Sequence, residues 1–288
     1  MTAGILINLH RPDAIEAAHK AVSILRSQGH EAFVDKEASA ATGLEPMSSV
    51  SMAKSDLVIS LGGDGTLLRA CHLCASNSVP ILGIAYGTFG FITPFVPGQL
   101  EEALQAFLDG RHRIESRMMV QTDLMRSGKA VAQLHSLNET VVQRSATTRL
   151  LVFSVMVNGC VVARYPADGV MVATPTGSTA YNLSAGGPVI DPSMEAIVIT
   201  GVMPHTLSAR PLVLPASSTI EISIETRGES HGGAVLSCDG LSRLHLLSGD
   251  KLVVRRSPHA ALLVALDPND FLEKLAARLN WAGGKGFV

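Results

Sequence analysis

Cysteine is scarce. There are four in 288 residues: Cys71, Cys74, Cys160 and Cys238. So few in so long a chain exclude a disulfide framework. Cys71 and Cys74 make one CxxC, Cys71-His72-Leu73-Cys74. No second ligand pair stands at metal spacing, so no metal is assigned to protein ligands and the pair reads as small apolar residues on a helix. Excess charge of one sign is also lacking. Lys plus Arg is 23 against 25 for Asp plus Glu, a net charge of −2. That balance argues against a general nucleic-acid binder and leaves room for a local basic pocket for phosphates. No apolar run reaches the roughly 18 residues of a membrane helix. Residues 1–12 have neither the basic n-region nor the long h-region of a signal peptide. Fixed-period repeats and low-complexity segments are missing too. These absences point to a soluble, cytoplasmic protein with no nucleic-acid or membrane partner.

What is present is apolar. Hydrophobic residues make up 47% and charged residues 17%, enough for a sizeable core in one large domain or two modest ones. The first part alternates strand and helix patterns. Residues 4–9 read as a buried parallel strand. Ile15, Ala18, Val22 and Leu25 make a helical stripe with Gly29 behind it as a C-terminal cap. Residues 31–35, 56–61 and 79–85 read as further strands, and 66–75 as a helix. Leu100, Ala103, Leu104 and Phe107 stripe another helix that ends near Gly110. Such alternation predicts a parallel α/β sheet with crossover helices. After about Arg111 the pattern becomes all-β, with short runs at 140–143, 150–157, 170–174, 197–201, 219–224 and 252–255 between turn residues. The tail returns to helix, with Phe271, Leu272, Leu275 and Leu279 on one face. The expected fold is an α/β domain with a parallel sheet (1–110 with 265–288) and a β-rich domain (111–264), the C-terminal helix packing back on the first.

Three segments carry candidate chemistry. Leu61-Gly62-Gly63-Asp64-Gly65-Thr66 lies between an apolar strand and a helix. Its glycines let the backbone approach a ligand, and the helix start aims free N–H groups at an anion. A carboxylate there repels phosphate, so Asp64 fits either a general base on a hydroxyl or a metal anchor. The motif is neither a Walker A loop nor GxGxxG. Next, Asp168-Gly169 precedes a run rich in hydroxyls and glycines, from Thr174-Pro175-Thr176-Gly177-Ser178-Thr179-Ala180-Tyr181 through Ser184-Ala185-Gly186-Gly187-Pro188. Such a loop presents neutral donors and exposed backbone, suiting a sugar-containing ligand, and Tyr181 offers a ring or a hydroxyl to a base. Third, Asn138-Glu139 heads a strand. Asn bonds an adenine edge or a ribose hydroxyl, and Glu accepts from vicinal hydroxyls. His205 in Met203-Pro204-His205-Thr206-Leu207-Ser208-Ala209-Arg210-Pro211 carries no assignment alone.

In this order, GGDGT at 62–66, Asn138-Glu139, Asp168-Gly169 with TPTGSTAYNLSAGGP at 174–188, and PHTLSARPL at 204–212 resemble the bacterial NAD kinases. A weaker echo is Ser237-Cys238-Asp239-Gly240. GGDGT is shared with lipid kinases and phosphofructokinases; TPTGSTAY is much more specific. The resemblance implies phosphorylation of the adenosine ribose 2′-hydroxyl of NAD, giving NADP, with ATP or polyphosphate as donor and Mg²⁺ or another divalent cation. Asp64 would accept the proton, and Gly62, Gly63, Gly65 and Thr66 would form the phosphate loop. Gly65, Arg69, Phe91, Asn138, Glu139 and Arg149 would contact NAD, together with Asp168, Thr179, Ala180, Tyr181 and Ser184. A homo-oligomer, dimer or tetramer, is implied because family pockets draw residues from a neighbouring subunit. Ala85, Phe89, Pro166 and Leu241 depart from common family residues and bear on NAD against NADH. The competing readings are a lipid kinase, which shares GGDGT, and a dinucleotide-binding module without turnover.

Overall fold

The computed structural model describes residues 1–87, 90–145, 150–225, 231–267 and 270–279. Phe89, Arg149 and the end of the tail lie outside the described residues. The chain divides into two compact units, Met1–Ser116 with Ala260–Val288, and Arg117–His259.

In the first unit, the elements from the N-terminus are β1 Thr2–Ile7, α1 Pro12–Ser27, β2 Glu31–Asp35, α2 Lys36–Thr42, β3 Pro46–Met47, α3 Ser49–Met52, β4 Leu57–Gly62, α4 Asp64–Cys74, β5 Pro80–Ala85 and α5 Leu100–Leu108. The strands lie in the order β3-β2-β1-β4-β5, all parallel. β4 is buried along its whole length, as a strand covered on both faces must be, and this explains its uninterrupted apolar run. α1 starts with Pro12 in its first turn, where a missing N–H costs nothing. It buries Ala18, Val22 and Leu25, and Ile15 packs partly buried against the same core. Cys71 and Cys74 are buried thiols on α4, and burial pushes the Cys74 thiol up to about 12. Strand order reverses at β1, with β2 on one side and β4 on the other.

The second unit is built from strands. They are β6 Arg113–Arg126, β7 Lys129–Ser136, β8 Glu139–Arg144, β9 Leu151–Val157, β10 Cys160–Ala167, β11 Gly169–Ala173, β12 Ala196–Val202, β13 Leu212–Pro215, β14 Ile220–Glu225, β15 His231–Cys238, β16 Ser242–Leu247 and β17 Lys251–Ala265, with a one-turn helix α6 at Tyr181–Ser184. β13-β12-β11-β8-β15-β16 form an antiparallel six-stranded sheet. β10-β9-β14 and the start of β17 form a second antiparallel array, and β6 and β7 make a hairpin. The core holds Phe153, Val170, Val172, Ile220 and Leu236.

The end of β17 belongs to the first unit, where Leu262 and Leu263 pair in parallel with Pro80 and Ile81. Helix α7, Asp270–Arg278, follows in the same unit. Its Lys274 Nζ donates to the Thr93 carbonyl at 2.9 Å. The predicted stripe needs correcting here: Leu275 is buried but Leu272 is 57% exposed, while Lys274 is only 4% exposed. The helix face follows Phe271, Lys274, Leu275 and Arg278 rather than the leucines alone.

Candidate active site

The first cluster is built on the β4–α4 junction. Gly62 closes β4, Gly63 caps α4 in an extended conformation, and Asp64 is the first helical residue. Thr66 and Leu67 N–H groups already bond the Gly63 carbonyl. The N–H groups of Asp64 and Gly65 precede the first intrahelical bond and keep the donor character of a helix start. The Asp64 carboxylate is half-buried and held by three donors. Oδ1 accepts from Thr93 N–H at 3.1 Å and Thr93 Oγ1 at 2.8 Å, and Oδ2 accepts from Phe91 N–H at 3.0 Å. Oδ2 therefore retains acceptor capacity for one more hydroxyl. The loop lies so close that a Cβ on Gly90 would stand 1.8 Å from Asp64 Oδ1, so any side chain there would displace the Asp64 carboxylate.

A crevice of about 350 Å³ opens beside this junction, lined by Asn8, Asp35, Glu37, Gly63, Gly65 and Arg69 among others. It lies outside the carboxyl ends of β1, β2 and β4, at the point where strand order reverses, which is where open α/β sheets bind ligands. Arg69 approaches Asp35 at 3.9 Å, and Asp35 also caps α2 by accepting from Ala38 N–H.

The second cluster belongs to the other unit, where β8 begins and β11 and β15 end. Pairing sets Glu139 opposite Ala173 and Thr140 opposite Cys238. Asp239, just beyond β15, accepts from the N–H groups of Leu137, Asn138 and Glu139 at 2.7, 2.8 and 3.0 Å. Thr174 N–H donates to the Asn138 carbonyl, and Thr174 Oγ1 accepts from Gly177 N–H. The turn at Thr176–Thr179 thus docks on the Asn138 backbone, so closely that a Cβ on Gly177 would lie 2.0 Å from the Asn138 carbonyl oxygen. Against the expectation of an exposed loop, residues 174–179 are buried; Tyr181, Ser184 and Gly186 are exposed and Ala180 is half-buried. Three buried side-chain atoms here have no partner among the described residues: Asn138 Oδ1, Glu139 Oε2 and Thr176 Oγ1. Burial, and then the Asp239 charge, push the Glu139 carboxyl up to about 8, although the Tyr181 backbone N–H pulls it the other way.

Asp168 stands apart from this cluster. It precedes β11, and its side chain accepts from Arg144 Nε at 2.7 Å. It lies five positions before Ala173, which stands opposite Glu139, about 17 Å of extended strand away. Sequence reasoning missed Asp239, Gly90, Thr93 and the crevice carboxylates. Only Asp239 had a signal, in the weak SCDG echo.

Two family models match the chain: ATP-NAD kinase N-terminal domain over residues 4–112 and ATP-NAD kinase C-terminal domain over residues 137–266. The chain belongs to the NAD kinase family. It is a phosphotransferase of that family, which sets aside both the lipid-kinase reading and the module without turnover. Among NAD kinases, that of Symbiobacterium thermophilum is 37% identical over 279 residues, covering 96% of this chain and 98% of the relative. The NAD kinase of Moorella thermoacetica is 36% identical over 284 residues, covering 98% and 90%. Yeast NADH kinase complexed with NADH superposes with a TM-score of 0.91 at 27% identity, covering all of this chain and 90% of that one. An Archaeoglobus fulgidus NAD kinase in complex with ATP shares the fold, with a TM-score of 0.77 at 24% identity over 98% of this chain and all of that one. Of the departures from NAD kinase pattern, Ala85 is buried at the end of β5, Leu241 is 47% exposed, and the Pro166 carbonyl accepts from His205 N–H.

Proposed function

We propose that the chain transfers a phosphoryl group from ATP, or from polyphosphate, to the 2′-hydroxyl of the adenosine ribose of NAD, giving NADP in the cytoplasm. The observation that carries this reading is the trio of buried, unpartnered atoms Asn138 Oδ1, Glu139 Oε2 and Thr176 Oγ1. Such atoms are costly unless a ligand completes them, and their chemistry suits the hydroxyls and exocyclic amine of an adenosine. Thr179, Ala180, Tyr181 and Ser184 continue the same surface along the turn. Asp64 Oδ2 serves as the proton acceptor, and Phe91 supports it through its N–H. The loop of Gly62, Gly63, Gly65 and Thr66 faces the donor phosphates, with the Asp64 and Gly65 N–H groups as its free donors at the helix start, and Arg69 adds positive charge at the crevice wall.

No trio of His, Cys, Asp or Glu able to cage a metal occurs among the described residues. The crevice carboxylates fit a cation that arrives on phosphates and takes one or two carboxylates, as Mg²⁺ does. Asp35 and Glu37 are the carboxylates available in the crevice. When bound, the ion neutralises charge on the phosphoryl group in transfer. The separation of Asp168 from Glu139 within one protomer supports a homo-oligomer, dimer or tetramer, in which Asp168 serves the pocket of a second copy.

A positioned base contributes about 10²–10⁴-fold. Asp64→Asn is therefore expected to keep the fold and NAD binding but lose at least about two decades of kcat. The measurement is NADP formation from NAD, ATP and Mg²⁺, read by a dehydrogenase specific for NADP. Wild-type turnover in the variant would remove Asp64 from that role. Absence of product with NAD or NADH and with ATP or polyphosphate, in folded protein, would overturn the reading as a whole.

A further inference from the structure

Helix α7 carries a buried cation that the proposed mechanism leaves without a task. Lys274 is 4% exposed, and its Nζ donates to the carbonyl of Thr93 at 2.9 Å. Thr93 is the residue that grips Asp64 Oδ1 twice, through N–H and through Oγ1. One helical turn further along, the Arg278 guanidinium lies 5.6 Å from the centre of the Phe91 ring, within cation–π range. Phe91 supplies the third donor to Asp64. Both residues that fix the carboxylate are thus themselves held by cations of one helix more than 180 residues away in sequence.

A lysine is expensive to bury, and lysines are almost never found fully inside without strong partners. A leucine at this position would cover the core at lower cost. A long charged side chain that reaches one particular carbonyl has a directional effect that an apolar side chain lacks. It fixes the Thr93 backbone through its carbonyl while the Thr93 N–H and Oγ1 hold Asp64 Oδ1, so the two Thr93 donors stay aimed at one carboxylate oxygen and Oδ2 keeps its remaining acceptor capacity.

We propose that Lys274 is a positioning residue for the phosphoryl-transfer reaction, orienting the Asp64 carboxylate through Thr93. The proposal rests on Asp64 being the proton acceptor. Lys274→Met keeps length and bulk and removes the charge and the donor. Its expected effect is a kcat roughly tenfold to a hundredfold lower, with KM for NAD within about twofold, since a misplaced group of this kind costs on the order of 10² in rate. Lys274→Arg should recover part of the loss. The deciding measurement is the double variant with Asp64→Asn. If Lys274 acts through Asp64, adding Lys274→Met to Asp64→Asn lowers kcat no further. Equal loss in both backgrounds, or a wild-type kcat in Lys274→Met, overturns the proposal. Should Lys274→Met fail to fold, Thr93→Val and Thr93→Ser replace it. Valine is expected to lower kcat without adding to Asp64→Asn, and serine to restore it; valine at wild-type kcat counts against the proposal. Asp64→Asn at wild-type kcat would instead overturn the general-base reading itself.

Discussion

Glu139 is a carboxyl group that keeps its proton. Burial and the neighbouring Asp239 charge hold its pKa at about 8, above the ordinary 4.5. The native state therefore binds a proton that the unfolded chain releases between those values. The stability this gives is complete below about pH 4.5 and is lost as pH rises through about 8. The upper bound of the loss is roughly 5 kcal/mol. Without ligand, the melting temperature of the wild-type protein is expected to fall steadily from pH 5 to pH 8.5. In Glu139→Gln the same curve should be markedly flatter, because no proton is left to lose at that position. Calorimetric melts of both proteins across that range check it. Parallel curves would mean that Glu139 is ionised in the fold at neutral pH. Asp239 differs from its neighbour: three backbone N–H groups meet its carboxylate, and it anchors the strand end on which Asn138 and Glu139 sit.

At the scale of elements, the turn at Thr176–Thr179 depends on one close approach. An alanine at Gly177 would press its Cβ against the Asn138 carbonyl oxygen, which also accepts from Thr174 N–H. Backbone must move to admit it. Gly177→Ala is expected to raise KM for NAD about tenfold or more while the chain still folds, a loss of about 1.4 kcal/mol in binding. Steady-state kinetics with NAD varied would show it, and an unchanged KM would show that the turn tolerates displacement. What the sequence reveals at this scale depends on distance. The β4–α4 junction is local, so Gly62 to Thr66 announce themselves: the strand predicted at 56–61 is observed at Leu57–Gly62 and the helix begins at Asp64. Asp239 acts on residues 100 positions away, and no periodicity reports that. β6 escaped detection for a different reason. Its buried stretch includes Arg117, Gln121, Thr122 and Asp123, so the alternation of polar and apolar residues that marks a strand is blurred. In α7, too, the leucine stripe hid Lys274. A charged residue at the i, i+3 position of an apolar face was the available signal.

For the molecule as a whole, the first unit is discontinuous: residues 1–116 form one unit with the segment from Ala260 onward. That segment supplies a strand beside β5 and places Val264 in the core around Leu57, Ile59 and Leu82. The second unit has its own core around Phe153 and Leu236. Deleting residues 260–288 is expected to strip hydrogen-exchange protection from β1, β4 and β5 and leave it in β8, β11 and β15, since cooperative units open separately. Uniform loss across both sets would mean that the second core cannot stand without the first.

The same discontinuity sets an order of events during synthesis. On a ribosome, domains generally fold as they emerge, at about 5–20 residues per second. Here the β4–α4 junction that carries Asp64 is made early, yet α7, whose Lys274 bonds the Thr93 carbonyl, is made after every residue of the second unit. A nascent chain thus finishes the sheet that carries Glu139 first and the surroundings of Asp64 last. On the proposed function, an interrupted translation product would hold the folded surface of Asn138 and Glu139 with an unanchored Asp64, able to occupy NAD and slow to turn it over.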